Sequence, residues 1–360
     1  MENRSVFGLV TLGAGVALAV GCATLPRRAE PAPVKLEVVA SSDRQWTGIA
    51  VSRDGRLFVN YPRWSETVPF AVGEVLPSGE VKPYPDADWN RWQPGLPPER
   101  HFVCVQSVVV DAENALWVLD PANPQFKGVV RGGPKLCQVD LRTNAVVRTI
   151  RFDETVAPAA SYLNDVRIDT RRRYAYISES GLGAIVVVDL RTGQARRCLA
   201  EHPSTKAENV TLTIGERPWL RDGKPPQVHC DGIALDPAGD FVYYQALTGR
   251  TLYRIATGWL RDAAMSERDL GAYVQAVAET GAADGIEFGA DGTLYLTALE
   301  ASAINALTTE GELRTIAWSP FLAWPDSLAL GPDGELYVTT SQIHLGAART
   351  EPYRVFRLKP

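Results

Sequence analysis

Six stretches of the chain repeat one pattern of twelve or thirteen residues. They are GIAVSRDGRLFV from Gly48, SVVVDAENALWV from Ser107, DVRIDTRRRYAYI from Asp165, GIALDPAGDFVYY from Gly232, GIEFGADGTLYL from Gly285 and SLALGPDGELYV from Ser327. Each reads as an apolar alternation, a turn, and a second run rich in Val and aromatics, the pattern of a β-hairpin. The tetrads RDGR, PAGD, ADGT and PDGE carry turn chemistry, because Gly supplies positive φ and Asp caps the turn. More strand signal follows most hairpins, as KLCQVDL and AVVRTIRF in the second repeat and AIVVVDL and ARRCLAE in the third. About four strands per repeat, at intervals of roughly 42 to 67 residues, predict propeller blades. The expected fold is all-β: a six-bladed β-propeller over residues 34–360. The last repeat shows three strands, ending in YRVFRLK, while VKLEVVA at residues 34–40 stands unassigned ahead of the first. Pairing this N-terminal strand onto the last blade closes the ring and removes an exposed edge.

Two segments break the β rhythm. Residues 259–281, WLRDAAMSERDLGAYVQAVAETG, have helical spacing and predict a helical insertion in blade four. Residues 200–229 form a long loop between blades three and four. The net charge of -5 is spread without a basic patch, which argues against nucleic acid as a partner. Near the N-terminus, Val6 to Val20 is an uninterrupted apolar or small run, short for a spanning helix and of signal-peptide length. It ends in AVGC, which resembles a bacterial lipobox with Ala19 in place of the usual Leu. Residues 1–22 are therefore expected to be a signal peptide with lipidation at Cys22, and residues 23–33 a Pro-rich tether. The protein is expected to be exported, to the periplasm or the outer membrane and cell surface. It would meet the membrane through that lipid anchor only. The chain carries no signature of a particular oligomeric state. Export allows disulfides among Cys104, Cys137, Cys198 and Cys230, with three pairings open; buried free thiols are the alternative.

The residue just before each repeat forms a polar column: Thr47, Gln106, Asn164, Asp231, Asp284 and Asp326. The first strand of every propeller blade lines the central channel, and all six run the same way, so one column maps to one ring at one channel mouth. Carboxylates from adjacent blades repel there unless one is protonated, paired with a base or neutralised by a cation. A hard cation such as Ca²⁺ takes such oxygen ligands, an Asn carbonyl included, and Asn164, Asp231 and Asp284 are the candidate ligands. The cofactor is thus either a divalent cation or none. Single positions also read as plain turn caps. The second strands return to the same mouth, which adds Tyr61, Arg63, Trp64, Asp120, Asn123, Glu179, Gln245, Glu300, Gln342 and His344 as candidates to orient a small ligand. No GxSxG elbow, HExxH, P-loop or strand-borne GxGxxG is present, and His344 has no partner His.

The stretches ALWVLDPAN, YLNDVRIDTRRRYAYISESGLGAIVVVDLRTGQARRCLAEHPS, CDGIALDPAGDFVYYQALTGRTLYRI, ADGIEFGADGTLYLTALE and WPDSLALGPDGELYVTTSQIH, in that order, resemble the major royal jelly protein and yellow family. The resemblance is to its bacterial branch, often labelled dopachrome-tautomerase-related. It implies a secreted six-bladed propeller with a ligand pocket at the channel mouth, which in the insect branch resembles one for biogenic amines. More distantly the chain resembles the gluconolactonases. Their divalent metal is held by a Glu in blade one, an Asn of an Asn-Asp motif and an Asp before a blade-four strand. Asn164 and Asp231 match the last two, while Thr47 stands in the place of the Glu. Three functions follow as expectations. The mouth binds a small polar or aromatic ligand through Tyr61, Trp64, Gln106, Glu179, Gln245, Glu300, Asp326 and His344. Alternatively, a cation at Asn164, Asp231 and Asp284 polarises a lactone, with Asp231 and Asp284 catalytic. In the third, the propeller rim serves as a cell-envelope interaction surface.

Overall fold

The computed structural model describes Met1, residues 35–65 and residues 68–359. Cys22, the expected leader and the expected tether lie outside the described residues. Residues 33–360 form one compact unit. Within it the strands make six four-stranded antiparallel sheets. Five sheets are consecutive in sequence. The sixth is Pro325–Leu330, Leu336–Thr340 and Tyr353–Leu358 plus the N-terminal strand Glu37–Ser42, which pairs with Tyr353–Leu358. The ring is thus closed by the strand that the sequence left unassigned, and the free edge of Tyr353–Leu358 is covered.

The first strand of each blade touches the first strand of the next, from Ile49–Val51 round to Pro325–Leu330 and back. Packing follows the same order. Each strand alternates its faces, so one blade offers apolar side chains to both neighbours. Phe58, Val108 and Leu116 fill the space between blades one and two. Trp117, Leu163 and Ile177 fill the next space, and Tyr176, Ile233 and Tyr244 the one between blades three and four. The remaining spaces hold Ala234, Ile286 and Leu296, then Ile304, Leu328 and Val338, then Ile49, Val59 and Val355. The core is six slabs arranged around a polar axis.

Residues 259–281 carry the expected helical insertion only in part. Two short helices, Thr257–Arg261 and Glu267–Gly271, are followed by Gln275–Glu279, the outer strand of blade four. Edge pairing with Thr251–Ala256 there overrides the local helical spacing. The long loop contains a small ribbon, Thr213–Ile214 with Arg217–Pro218. Cys104, Cys137, Cys198 and Cys230 are buried free thiols. Burial pushes the Cys104 and Cys198 thiols up to about 12 and that of Cys137 to about 11, so they stay protonated and inert.

Removing residues 35–42 exposes the whole Tyr353–Leu358 edge. The expected result is aggregation or a melting temperature lowered by more than about 5 °C, read by scanning calorimetry. A truncated protein that melts with the full-length one refutes closure by this strand.

Candidate functional site

Asn164-Asp165, Asp231-Gly232 and Asp326-Ser327 sit inside the first strands of blades three, four and six, as β-bulges, while Asp284-Gly285 stands just before Ile286–Phe288. Register shifts occur between Leu163 and Val166, between Cys230 and Ile233, and between Pro325 and Leu328. A bulge opens the ladder and re-aims a side chain. Amides at these positions are met from the second strand, with or without a bulge: Asp165 N–H donates to Ser178 Oγ (3.0 Å), Asp284 N–H to Thr297 Oγ1 (2.9 Å) and Ser327 N–H to Thr339 Oγ1 (3.1 Å). In blade one, Gly48 N–H donates to Asn60 Oδ1 (3.0 Å). The glycines have their own reason. A Cβ on Gly232 would collide with the Asp284 carbonyl, and one on Gly285 with the Asp326 carbonyl. Neighbouring inner strands approach so closely that only hydrogen fits.

The bulge splits the Asn164-Asp165 and Asp326-Ser327 pairs between two cavities. Gln106, Asn164, Asp231, Asp284 and Asp326 all line one cavity of about 110 Å³. Asp165 instead lines a separate cavity of about 270 Å³ with Arg167 and Glu287. There Arg167 crosses from blade three to blade five, donating to the Ile286 carbonyl (2.7 Å) and pairing with Glu287 (3.1 Å).

Aromatic rings wall the first cavity on two sides. On one, Phe126 packs against Tyr162 (centroids 4.9 Å apart) and Trp64 (5.7 Å). On the other, Trp219 meets Trp324 edge-on (4.8 Å). Phe126 and Trp324 both hold left-handed backbone, with φ of 55° and 57°. For bulky side chains this conformation is strained, and such strain concentrates at functional sites.

One hydrogen-bond chain fixes the first wall to the ring. Trp64 Nε1 donates to Tyr162 Oη (2.6 Å), which donates to Gln106 Oε1 (2.9 Å). Gln106 Nε2 donates to Asn164 Oδ1 (3.0 Å), and Asn164 Nδ2 to Ser180 Oγ (3.0 Å). Trp324 Nε1 donates to Asp284 Oδ2 (2.6 Å), and Ser327 Oγ to Asp326 Oδ1 (3.1 Å). Asp231 is different: it is 2% exposed, and its Oδ1 has no partner.

Burial raises the Asp231 and Asp284 carboxyls well above the usual carboxylate range, and the surrounding acids add to this. Asp165 and Asp326 act on Asp231, and Asp326 and Asp231 act on Asp284. Burial pushes Asp326 up to about 7.

Other expected site residues lie elsewhere, because at the ends of the second strands and in the loops after them polar side chains take anchoring roles. Tyr61 lines a different cavity, of about 190 Å³. Glu179 accepts from the Tyr162 and Gly181 amides and pairs with Arg197 (2.6 Å). Asp120 is fully buried against Lys135 (2.7 Å) and binds the Val103 and Cys104 amides. Gln245 bonds Thr280 and Gly281, and Glu300 holds Thr213 and Arg250. His344 stacks on Trp324 (5.9 Å), and burial keeps its ring below the usual imidazole range. Arg63 donates to the Val103 carbonyl, Asn123 to that of Ser161 and Gln342 to that of Pro352. Phe126, Tyr162, Trp219, Arg221 and Trp324 line the mouth cavity without having been singled out. Trp219 and Arg221 belong to the long loop, whose sequence has no repeat partner. Tyr162 and Trp324 each stand two residues before a column member, a spacing that the aligned repeats do contain.

A family model, Major royal jelly protein, matches residues 103–353. The chain belongs to the major royal jelly protein family. It is 23% identical over 188 residues to Major royal jelly protein 6 of Apis mellifera, covering 49% of this chain and 39% of that protein. It is 23% identical over 231 residues to Major royal jelly protein 5 of the same organism, covering 59% of this chain and 35% of that protein. The alignments thus span well under half of those relatives. Among solved structures, the calcium-binding protein regucalcin of Agrobacterium tumefaciens superposes with a TM-score of 0.58 at 16% identity, over 91% of this chain and 94% of that one. A gluconolactonase of Xanthomonas campestris gives 0.56 at 13%, over 91% and 90%. These likenesses show the propeller fold alone.

The metal arrangement expected from the gluconolactonases does not fit the residues present. Thr47 donates to the Gln106 carbonyl (3.2 Å) and accepts from Asn60 (2.8 Å), and the Asn164 carbonyl oxygen accepts from Gln106 (3.0 Å). Among the described residues no group of three or more His, Cys, Asp or Glu is placed to hold an ion.

Asp326 holds its proton more tightly folded than at its ordinary value of 3.8. Between 3.8 and about 7 the folded state therefore binds more protons, and stability falls as pH rises through that window. Asp326→Asn removes this contribution. The variant's melting temperature should vary less steeply from pH 5 to 8 than the parent's, by about 2 °C or more. Separately, Gly285→Ala should cost about 1–3 kcal/mol in urea unfolding.

Proposed function

We propose that this propeller binds a small organic cation with a flat apolar or aromatic body at the channel mouth. The observation that carries the reading is the unpartnered, buried Asp231 carboxylate oxygen between two aromatic walls. A buried carboxylate oxygen without a partner is costly, and Asp284 and Asp326 share the floor with it. An ammonium group there pairs with the acids and replaces mutual repulsion by attraction. The rings of Trp64, Phe126, Tyr162, Trp219 and Trp324 supply dispersion and cation–π contact. Membership of the major royal jelly protein family agrees with a ligand-binding role. Export with lipid attachment at Cys22 is part of the same proposal and rests on the sequence alone.

Lactone hydrolysis is the second reading. Its support is the fold shared with a gluconolactonase and with calcium-binding regucalcin. It requires a cation site that the present side-chain positions do not form.

Calorimetric titration with benzylamine and with neutral benzyl alcohol tests the binding reading. The amine is expected to bind at least about tenfold tighter, a difference of roughly 1.4 kcal/mol. Its affinity should drop as pH falls below about 7, where Asp326 takes up a proton. Asp231→Asn should abolish the preference while raising the melting temperature of the free protein at pH 8, because it relieves repulsion at a site kept for function. Equal binding of amine and alcohol refutes the reading. A rise in melting temperature with Ca²⁺, lost in Asp231→Asn, supports the hydrolase reading instead.

A further inference from the structure

The mouth cavity has two chemically opposite ends. Its floor is the buried trio Asp231, Asp284 and Asp326, each less than a tenth exposed. At its outer end stands Arg221, an exposed residue of the long loop that lines the same cavity. The Arg221 guanidinium lies 6.0 Å from the Phe126 ring centroid. Phe126 is itself 52% exposed, so the cation caps the rim of the aromatic wall. Among the described residues this guanidinium makes no ion pair and no hydrogen bond, whereas Arg250 on the neighbouring loop is taken by Glu300. Its five donors are free for a ligand.

The position of Arg221 is set by its surroundings. Its backbone exchanges hydrogen bonds with Lys224 (2.9 and 3.1 Å). Two residues earlier, Trp219 is buried against Trp324, and its amide donates to the Leu212 carbonyl (2.8 Å). The loop is therefore docked on the mouth and presents one cation outward of the acids.

We propose that the slot selects a dipolar ligand: a flat ring bearing a cationic group at one end and a carboxylate or similar anion at the other. The cationic group lies on the Asp231 floor, and the anion is paired with Arg221. This rests on the reading of the floor as a cation site and names the ligand class more narrowly. A carboxylate deep in the cavity would be repelled by three acids. At the outer end it meets the planar guanidinium, which matches a carboxylate fork to fork. Aromatic faces between the two ends account for the ring.

Three probes separate the terms: 4-(aminomethyl)benzoate, its methyl ester, and benzylamine. The acid and the ester share ring and ammonium, and differ in the outer charge. Titration at pH 8 should show the acid binding roughly tenfold tighter than the ester. Arg221→Gln, on an exposed loop, should bring the affinity of the acid down to that of the ester with the melting temperature kept within a degree or so of the parent. The acid's preference should also shrink as salt is raised. If acid and ester bind equally to the parent, or if the preference survives Arg221→Gln, the inference is wrong although benzylamine binds. If benzylamine itself fails to bind, the cation reading of the floor falls, and this inference falls with it.

Discussion

Six inner strands meet around one axis more closely than side chains allow, and most of the remaining structure answers to that crowding. Where an inner strand's backbone faces the next blade's carbonyl, as at Gly232 and Gly285, a Cβ has no room. In blades three and six a bulge lets the strand pass and frees an amide that Ser178 or Thr339 then satisfies, and in blade five Thr297 meets the Asp284 amide without one. The same crowding therefore underlies the glycines, the small hydroxyls of the second strands and the acids of the mouth.

The acids are the cost of this arrangement. Asp231, Asp284 and Asp326 are buried together, with Trp324 and Ser327 as the donors that meet two of them. Such a cluster lowers stability whenever it ionises, and protonation is the relief open to the free protein. The strained backbone of Phe126 and Trp324 points the same way. Unfavourable charge and unfavourable backbone geometry coincide at one cavity, and both are held there by well-packed blades. By contrast Asp120 with Lys135 and Glu179 with Arg197 are acids of similar burial whose partners are complete. They anchor loops and leave nothing for a ligand.

How far a residue could be read from the chain depended on whether it belonged to the repeat. Asn164, Asp231, Asp284 and Asp326 fell into one column, and equivalent positions on blades lie on one circle, so their convergence was legible. Thr47 shared the column, yet its hydroxyl is tied to Gln106 and Asn60, because in blade one the chain has Asn60 where blades three, five and six place Ser178, Thr297 and Thr339. Residues after the second strands were harder. Glu179 and Gln245 lie in second strands and Tyr61, Glu300 and His344 just after them, but their side chains turn to another cavity, to amides and carbonyls or to a neighbouring ring.

Local periodicity and turn chemistry determined the strands, the six-fold count, the closing N-terminal strand and the ring of acids, since each is a property of a short repeated segment. The tertiary structure alone decided the aromatic walls, the rim guanidinium and the outer strand of blade four. Trp219 and Arg221 lie in a loop without period, and their place is set by packing on Trp324 and Phe126, which are distant in sequence. Gln275–Glu279 became a strand because the edge of blade four was open to receive it. Contacts between distant segments carry no repeat of their own, so they enter only when the blades have closed.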